Sequence, residues 1–190
     1  IENNKNVYLT RKIIKDNVNW ETKLKTKFNN KNQGCKYGVS NAISWFFKNE
    51  NEGIILEDDI LPHVDFFSFC EVLLEKYRND KRVWCITGSN HVGENIGDGS
   101  YFFSRYNHCW GWASWRRCWD QYNVEMELWP KYKSMQLLKT NFPDKKEYSY
   151  WYNFFNSFYK NGTSGTWDYQ WFFTSLINNG LTITPNTNLI

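Results

Sequence analysis

The 190-residue sequence is poor in the features that mark several classes of protein. It has only 11 Gly and 4 Pro, while 41% of its residues are hydrophobic and 19% are aromatic, which is typical of one globular domain. The excess of positive charge is small, with 23 Lys and Arg against 20 Asp and Glu. A dedicated nucleic-acid binder or a polybasic membrane-surface protein carries a stronger basic signature, so neither is indicated.

Long apolar runs and paired cysteines are also lacking. No stretch of 18 or more apolar residues exists, and residues 1–5 show no basic segment leading into an apolar one. The sequence therefore predicts no integral membrane segment and no signal peptide. The five cysteines are an odd number at wide, irregular spacing, which favours reduced thiols in the cytoplasm over a disulfide framework.

The first third of the chain combines helical and strand-like patterns. Apolar residues at helical spacing predict a short helix over Val7–Ile14 that ends near Asp16. Trp20–Phe28 alternates between apolar or Thr residues on one face and Glu or Lys on the other, which predicts a strand. After Gly38, apolar residues three and four apart predict a helix packed on a sheet.

Strands and helices then alternate along the chain. Gly53–Asp59 is a continuous apolar run that ends in acids, and it fits a strand buried on both faces, as parallel strands are. An amphipathic pattern predicts a helix over Phe66–Arg78, and Arg82–Thr87 is predicted as the next strand. This order favours a largely parallel α/β sheet with right-handed crossovers.

Beyond a Gly- and Asn-containing loop at residues 88–100, the sequence becomes crowded with aromatic residues. Helices are predicted at about Ala113–Tyr122, Lys146–Tyr159 and Asp168–Asn179, the last ended by Gly180 and followed by a strand at Leu181–Thr184.

Three consecutive acids, Glu57, Asp58 and Asp59, are the strongest chemical feature. Open α/β sheets bind ligands outside the carboxyl ends of their strands, and carboxylates placed there repel one another unless a cation or hydrogen-bond donors intervene. Mg²⁺ and Mn²⁺ bind such oxygens together with phosphate oxygens of a substrate. The alternative is a solvated acidic turn that caps the next helix. The strand before the acids and the helix after them favour the metal site.

Two ordered blocks of residues resemble one family of enzymes. Gly53–Asp59, followed by Pro62 and Asp65-Phe66-Phe67, resembles the metal-binding motif of GT-A-fold glycosyltransferases. The similarity is greatest to the N-acetylglucosaminyltransferase that initiates complex N-glycans, and a bacterial hemolysin-related, HlpA-like group shares the same blocks. The second block follows that family's order in Gly111-Trp112, Trp119, Trp129-Pro130 and Trp167-Asp168-Tyr169-Gln170-Trp171. Together the blocks span roughly residues 30–190.

The resemblance implies a three-layer α/β/α sandwich of the GT-A, nucleotide-diphospho-sugar transferase type, with a mostly parallel sheet. Residues 1–190 then form a single, partial domain, with a Rossmann-like βαβ part at 1–100 that carries the acidic motif and an aromatic-rich acceptor and catalytic part at 101–190. Members of this family normally begin with a further strand, helix and strand that hold the nucleotide base. We therefore expect this chain to be a fragment that lacks that unit.

The resemblance also implies roles for four acids. Asp59 ligates Mn²⁺, or Mg²⁺ in its place, and this ion bridges the diphosphate of a nucleotide sugar. Asp58 contacts the ribose, and Glu57 contacts hydroxyls of the donor sugar. Asp168 is the catalytic base, and its place between two Trp residues suggests partial desolvation that suits proton transfer. Its alternative role is to cap the helix that it begins.

Three further residues are candidates for donor binding. Trp167 is expected to pack against the donor sugar, with a place in the core as its alternative. Arg116 and Arg117 have the right chemistry for phosphate. A surface pair on a helix is the alternative interpretation of these two residues.

The implied reaction is a metal-dependent, inverting displacement. The implied enzyme is bacterial and cytoplasmic, and a peripheral position of the parent protein at the inner membrane is one option. A nucleotide-diphosphate sugar, with UDP-sugar as first choice, is the donor, and a glycan or other hydroxyl compound is the acceptor. Two alternatives stay open. One is a non-catalytic carbohydrate-binding or degenerate transferase-like module whose aromatic residues stack on sugars, and the other is a purely structural fragment.

Overall fold

The structure, a computed structural model, describes residues 2–93, 95–163 and 165–190. Its internal contacts divide the chain into two units, residues 1–31 and residues 32–190. We call them the N-terminal unit and the main unit.

The N-terminal unit consists of one helix and an extended segment. The helix α1 (Glu2–Asn17) contains the predicted helix and confirms it. Arg11 holds the following segment, because its guanidinium donates to the Asn29 carbonyl at 2.8 Å and lies 4.8 Å from the centre of the Phe28 ring. The predicted strand at Trp20–Phe28 is wrong, since these residues pair with no strand in the described part of the chain. Alternation of apolar and polar residues gives a segment two distinct faces, but a β-strand also requires a neighbouring strand to which it can hydrogen-bond.

The main unit mixes helices and strands. Its helices, within the described residues, are α2 (Gly34–Asn49), α3 (Val64–Tyr77), α4 (Arg116–Trp119), α5 (Trp129–Ser134), α6 (Leu138–Asn141), α7 (Lys145–Lys160) and α8 (Asp168–Ile177). Its strands are β1 (Glu52–Ile55), β2 (Val83–Thr87), β3 (Tyr101–Ser104), β4 (Trp112–Trp115) and β5 (Leu181–Pro185). The predicted helices around α3, α7 and α8, and the predicted strands around β2 and β5, are confirmed to within a few residues.

The five strands form one open sheet in the order β1-β4-β2-β5-β3. Only β2 and β5 are parallel neighbours, and the other three pairs are antiparallel. The prediction of a mostly parallel sheet is therefore wrong. The reason is β4, which comes from the aromatic-rich region and inserts antiparallel between β1 and β2. As a result β1 lies at the side of the sheet and is only partly buried.

Two local predictions in the aromatic-rich region also need correction. The predicted helix at about Ala113–Tyr122 begins as strand β4 and becomes helical only at Arg116. At the end of α8 the left-handed backbone falls on Asn179, with φ of 52°, rather than on Gly180. Gly180 is needed instead for close packing, because a Cβ there would lie 2.5 Å from Cγ of Trp84.

Helices pack on both faces of the sheet. Trp112 and Trp115 are three residues apart in β4 and so point to opposite faces. The Trp115 indole donates to the Leu74 carbonyl of α3, whereas the Trp112 ring lies 5.5 Å from the Trp171 ring of α8. The main unit is thus a mixed α/β layered structure.

Apolar packing is concentrated in two clusters of the main unit. One is centred on the sheet and contains Trp84, Trp112 and Trp171. The other is built by the helices α5 to α8 and contains Trp129, Phe155 and Phe173. The helix α8 contributes to both clusters, which fixes the position of its first residue, Asp168, relative to the sheet.

Strand direction places several segments at one edge of the sheet. The strands β1, β2 and β5 all end there, and β3 and β4 begin there, because Ile55 pairs with Trp112, Thr87 with Trp112, and Tyr101 with Pro185. We call it the carboxyl edge.

Candidate functional site

The three consecutive acids lie at the carboxyl edge. Glu57, Asp58 and Asp59 follow the last residue of β1 by two to four positions and form a turn in which the Ile60 N–H donates to the Glu57 carbonyl. Glu57 is half-buried, whereas Asp58 and Asp59 are exposed. The sequence predicts this location correctly although it predicts a mostly parallel sheet, because the acids follow the end of β1 in the predicted and in the observed sheet.

Asp168 is brought to the same edge by the helix α8. That helix spans 10 residues, about 15 Å, and leads after three residues into β5, whose 5 residues span about 16 Å. The reversal therefore sets the start of α8 over the end of β5. Asp168 is the first residue of the helix and accepts a hydrogen bond from the Thr166 hydroxyl. The capping position is occupied by Trp167, so Asp168 is not the cap that the alternative interpretation requires.

The electrostatics of Glu57 show that the four acids are neighbours. Burial raises the pKa of Glu57, and the charges of Asp59, Asp168 and Asp58 raise it further, in that order. Within the described residues, no ion pair joins Glu57, Asp58 or Asp59 to a basic side chain. Among the described residues, the carboxyl edge therefore gathers carboxylates that no ion pair neutralises.

Two cysteines lie within the same field. Burial is the largest cause that raises the pKa of Cys35, and Glu57 and Asp168 add to it. The pKa of Cys109 is raised well above its ordinary value by burial, then by Cys85, Asp168 and Glu57. Both groups stay thiols near neutral pH, so neither is suited to act as a nucleophile.

The carboxylates offer the donor set that the implied cation needs. Mn²⁺ and Mg²⁺ prefer carboxylate oxygens, usually one or two of them with substrate phosphates completing the shell. Neighbouring carboxylates contribute to the raised pKa of Glu57, so a cation bound here would reduce the repulsion between them. Among the residues that the structure describes, no group of three or more His, Cys, Asp or Glu is already arranged to hold a metal ion.

A pocket of about 270 Å³ opens beside Asp168. One side is formed by the loop between β3 and β4, and the other by α7 and the start of α8. Its walls also include His91, from the segment that follows β2, and the full lining is Tyr106, Asn107, His108, Cys109, Trp110, Trp151, Asp168, Tyr169, Phe172 and His91. We call it the Asp168 pocket.

The Asp168 pocket contains polar groups with unusual surroundings. Both side-chain polar atoms of Asn107 are buried and have no hydrogen-bond partner among the described residues. Leaving such atoms unpaired costs about 1–3 kcal/mol each. Burial, and then the neighbouring His91, lowers the pKa of His108 to about 4, so this imidazole is neutral near pH 7. Its ring lies edge-on to His91, with centroids 4.6 Å apart.

The structure corrects the prediction for Trp167. Its side chain is 2% exposed and stacks on Trp112, with ring centroids 5.8 Å apart. A buried ring has no free face to offer a donor sugar. The alternative interpretation, a tryptophan of the core, is the one that the packing supports.

Arg116 and Arg117 are separated from the acids by the length of the sheet. They follow β4, whose last residue, Trp115, pairs with the first residue of β1, so they lie at the opposite edge. The Arg116 guanidinium donates to the Phe47 carbonyl and, at 3.2 Å, to the Glu50 carbonyl. The Arg117 guanidinium donates to the carbonyls of Asp80 and Val83 at 3.0 and 2.8 Å. The sequence places both arginines in donor binding, and the geometry gives them structural roles instead.

The comparisons with known proteins add no relative. No protein-family model matches the chain, and no curated protein matches it. In the described part of the chain, no helix combines the length and the apolar character that crossing a membrane requires.

Sequence reasoning missed the loop residues of the pocket. Asn107, His108 and Cys109 stand in a polar and aromatic stretch that has no motif of its own. One signal was present, since they directly precede the Gly111-Trp112 block. Gly111 adopts a left-handed backbone with φ of 68°, and a Cβ there would lie 2.3 Å from Cδ1 of Ile190. This close approach seats the loop at the carboxyl edge.

Proposed function

We propose that this chain is the core of a metal-dependent, inverting glycosyltransferase of the GT-A type. It transfers a sugar from a nucleotide-diphosphate donor, with UDP-sugar as first choice, to a glycan or other acceptor hydroxyl. The observation that carries the proposal is the meeting of Glu57, Asp58, Asp59 and Asp168 at the carboxyl edge, beside a pocket. The two resembling sequence blocks supply the two parts of that cluster.

The proposed roles divide the acids between donor and acceptor. Asp59, with phosphate oxygens of the donor, would hold Mn²⁺ or Mg²⁺, which when bound stabilises negative charge on the departing diphosphate. Asp58 and Glu57 would orient the ribose and sugar hydroxyls of the donor. These residues are exposed or half-buried, as ligand contact requires.

Asp168 would act on the acceptor. Its carboxylate takes the proton of the acceptor hydroxyl as that oxygen bonds to the anomeric carbon, while the bond from this carbon to the diphosphate oxygen breaks. Because attack and departure occur on opposite faces, the anomeric configuration inverts. The place of Asp168 on the wall of a pocket gives such an acceptor room to approach.

The cellular setting belongs to the same proposal. All five cysteines are free, which suits a reducing compartment. We therefore propose a bacterial cytoplasmic enzyme, with a peripheral position at the inner membrane as one option for its parent protein.

One observation favours the second candidate, a non-catalytic carbohydrate-binding or degenerate transferase-like module. Trp110 lines the pocket and is 60% exposed. A pocket with aromatic walls binds a sugar whether or not the acids assist transfer.

Calorimetric titration tests the proposal. UDP-, GDP-, dTDP- and CDP-sugars are titrated, with and without Mn²⁺, into the chain, into a version extended at both ends, and into Asp59→Asn of each. We expect the extended version to bind one nucleotide class only with Mn²⁺, and Asp59→Asn to weaken that binding at least tenfold. The exposed Asp120, which follows α4 at the opposite edge, supplies the control variant Asp120→Asn. Donor binding that changes neither with Mn²⁺ nor with Asp59→Asn would overturn the metal assignment.

A further inference from the structure

The carboxylate of Asp168 is held at one oxygen and open at the other. The Thr166 hydroxyl donates a hydrogen bond to its Oδ1 atom. Among the described residues, nothing donates a hydrogen bond to Oδ2, and no basic side chain forms an ion pair with Asp168. The residue is half-buried and lines the Asp168 pocket. One oxygen is thus engaged by the protein, while the second is available to a ligand.

Thr166 is a donor with little freedom to turn away from Asp168. It is half-buried and lies two residues before α8, and its β-branched side chain has few accessible rotamers. A hydrogen bond to a charged carboxylate is also stronger than one between neutral groups. The contact therefore restricts the rotation of the Asp168 carboxylate.

Gln170 fixes the backbone of Thr166. Its side chain is fully buried, and its Nε2 atom donates to the Thr166 carbonyl at 2.7 Å and to the Thr163 carbonyl at 3.3 Å. Both partners are acceptors, so the nitrogen of the amide is the atom that faces them. The segment before α8 is therefore tied to α8 itself, which also carries Asp168.

A buried lysine anchors the same segment to α2. Lys36 is 8% exposed, and its ammonium donates to the Thr163 hydroxyl at 2.7 Å and to Glu125 at 2.8 Å. The Tyr37 hydroxyl donates to the other oxygen of Glu125 at 2.6 Å. A buried charge needs such partners, so this network fixes Thr163 while Gln170 fixes Thr166.

We propose that Thr166 is the positioning residue of Asp168, with its hydroxyl holding Oδ1 so that Oδ2 faces the Asp168 pocket. This orientation does not depend on any activity. Its effect on catalysis rests on the proposed function, in which Asp168 takes the proton of the acceptor hydroxyl. A base must lie within hydrogen-bond reach of that proton, and a carboxylate that rotates freely is less often in the productive geometry. Thr166 therefore supports the rate of transfer and not the binding of the donor.

Carbon-13 NMR of the carboxyl groups tests the orientation on the 190-residue chain. Aspartate is labelled at Cγ, and the Asp168 signal is the one that disappears in Asp168→Asn. Thr166→Val keeps the shape of the side chain and removes the donor, whereas Thr166→Ser keeps the donor. The matched control is Thr140→Val, which removes an exposed hydroxyl that donates to the Leu137 carbonyl. Circular dichroism verifies that each variant is folded, and Thr166→Ala replaces Thr166→Val if the latter does not fold.

We expect Thr166→Val to displace the Asp168 signal at pH 7, because the carboxylate loses its donor. Thr166→Ser and Thr140→Val should leave the signal at its wild-type position. An undisplaced signal in Thr166→Val, or an equal displacement in Thr166→Ser, overturns the proposal.

Transfer by the version of the chain extended at both ends tests the consequence for catalysis. Release of nucleoside diphosphate gives kcat, and its dependence on the donor gives KM. We expect Thr166→Val to lower kcat at least tenfold and to leave the KM for the donor within about twofold of wild type. Thr166→Ser should restore kcat to within about threefold of wild type. A wild-type kcat in Thr166→Val would overturn the positioning role.

The two measurements keep this proposal distinguishable from the proposed function. If the wild type transfers no sugar while the Asp168 signal responds as expected, the proposed function fails and Thr166 still orients Asp168. If the wild type transfers sugar and Thr166→Val matches it, the proposed function stands and the positioning role fails.

Discussion

At the edge of the sheet opposite the acids, charged side chains are paired, whereas at the carboxyl edge like charges face one another. Arg78 contacts Glu52 at 2.6 Å, and Arg82 contacts Asp80 at 2.7 Å. The Arg82 guanidinium is the main reason that the pKa of Asp80 is lowered to about 2. At the carboxyl edge, burial and the neighbouring carboxylates raise the pKa of Glu57 instead.

This difference separates charged groups that neutralise one another from carboxylates that repel one another. A paired charge contributes to folding, although an exposed pair contributes little. Carboxylates gathered without compensation lower the stability of the fold and persist where a ligand stabilises them. Arg78 and Arg82 are thus structural charges, whereas under the proposed function Glu57, Asp59 and Asp168 would contact ligands.

The largest effect is expected from Asp168→Asn. Loss of a general base lowers the rate of transfer about 10²–10⁴-fold, while the donor, which Asp168 does not hold, should bind unchanged. Release of nucleoside diphosphate in the presence of methyl pyranosides measures the rate, and calorimetry measures donor binding. Asp120→Asn, at the opposite edge, should retain both. Wild-type transfer by Asp168→Asn would remove Asp168 from the role of base.

A smaller effect, of a different kind, is expected from Arg117→Ala. Its guanidinium donates to the carbonyls of Asp80 and Val83, and the substitution removes both of these charged hydrogen bonds. We expect the free energy of unfolding to fall by about 1–3 kcal/mol with donor binding intact. Urea denaturation measures the change, and the exposed Arg82→Ala should change it by less than about 1 kcal/mol. Lost donor binding in a folded Arg117→Ala protein would contradict the structural role.

The sequence predicts those parts of the fold that depend on a pattern within one segment, and it fails where strands from distant segments pair. The helix α3 and the strand β2 carry clear patterns and are predicted correctly. The strands β3 and β4 have four residues each, and β4 is buried throughout, so it shows no alternation to read. The direction of the sheet depends on which strand inserts beside β1, which is a property of pairing across 60 residues of chain.

The candidate site divides in the same way. Glu57, Asp58, Asp59 and Asp168 are predictable because they sit in ordered motifs at the ends of elements. Asn107 and His108 are not, because their importance comes from burial against α7 and α8 rather than from spacing. The prediction that Trp167 packs against the donor is wrong, because an aromatic residue in a motif gives no sign of whether its ring is buried.

The pH dependence of stability tests whether His108, in the pocket at the carboxyl edge, is buried as a neutral imidazole. His108 has an ordinary pKa of 6.5 and a value of about 4 in the fold, so the unfolded chain binds its proton first as pH falls. Stability contributed by the neutral imidazole is therefore present above about pH 6.5 and is lost as pH falls toward 4. After allowance for solvent screening we expect a loss of about 1–2 kcal/mol over that window.

Denaturation of wild type and His108→Gln at pH 7 and pH 5 measures this loss. The variant should show a smaller difference between the two pH values than wild type. Asn153→Ala, which removes an exposed side chain of α7 that does not titrate, should keep the wild-type difference. Equal pH dependence in His108→Gln and wild type would show that His108 is not the group responsible.

The smallest effect is expected from Glu57→Gln, and its sign is the informative part. Because burial and the nearby carboxylates raise the pKa of Glu57, the folded chain holds that proton more tightly than the unfolded chain. The charged carboxylate therefore costs stability above its unfolded pKa, and the cost disappears as pH falls below it. Removing the charge should stabilise the fold at pH 7 by about 0.5 kcal/mol after screening, with no gain near pH 4.

Glu71→Gln, on the exposed side of α3, should give no such gain. Thermal denaturation at both pH values decides the sign, and a less stable Glu57→Gln would mean that the four acids do not repel one another as the geometry of the carboxyl edge requires.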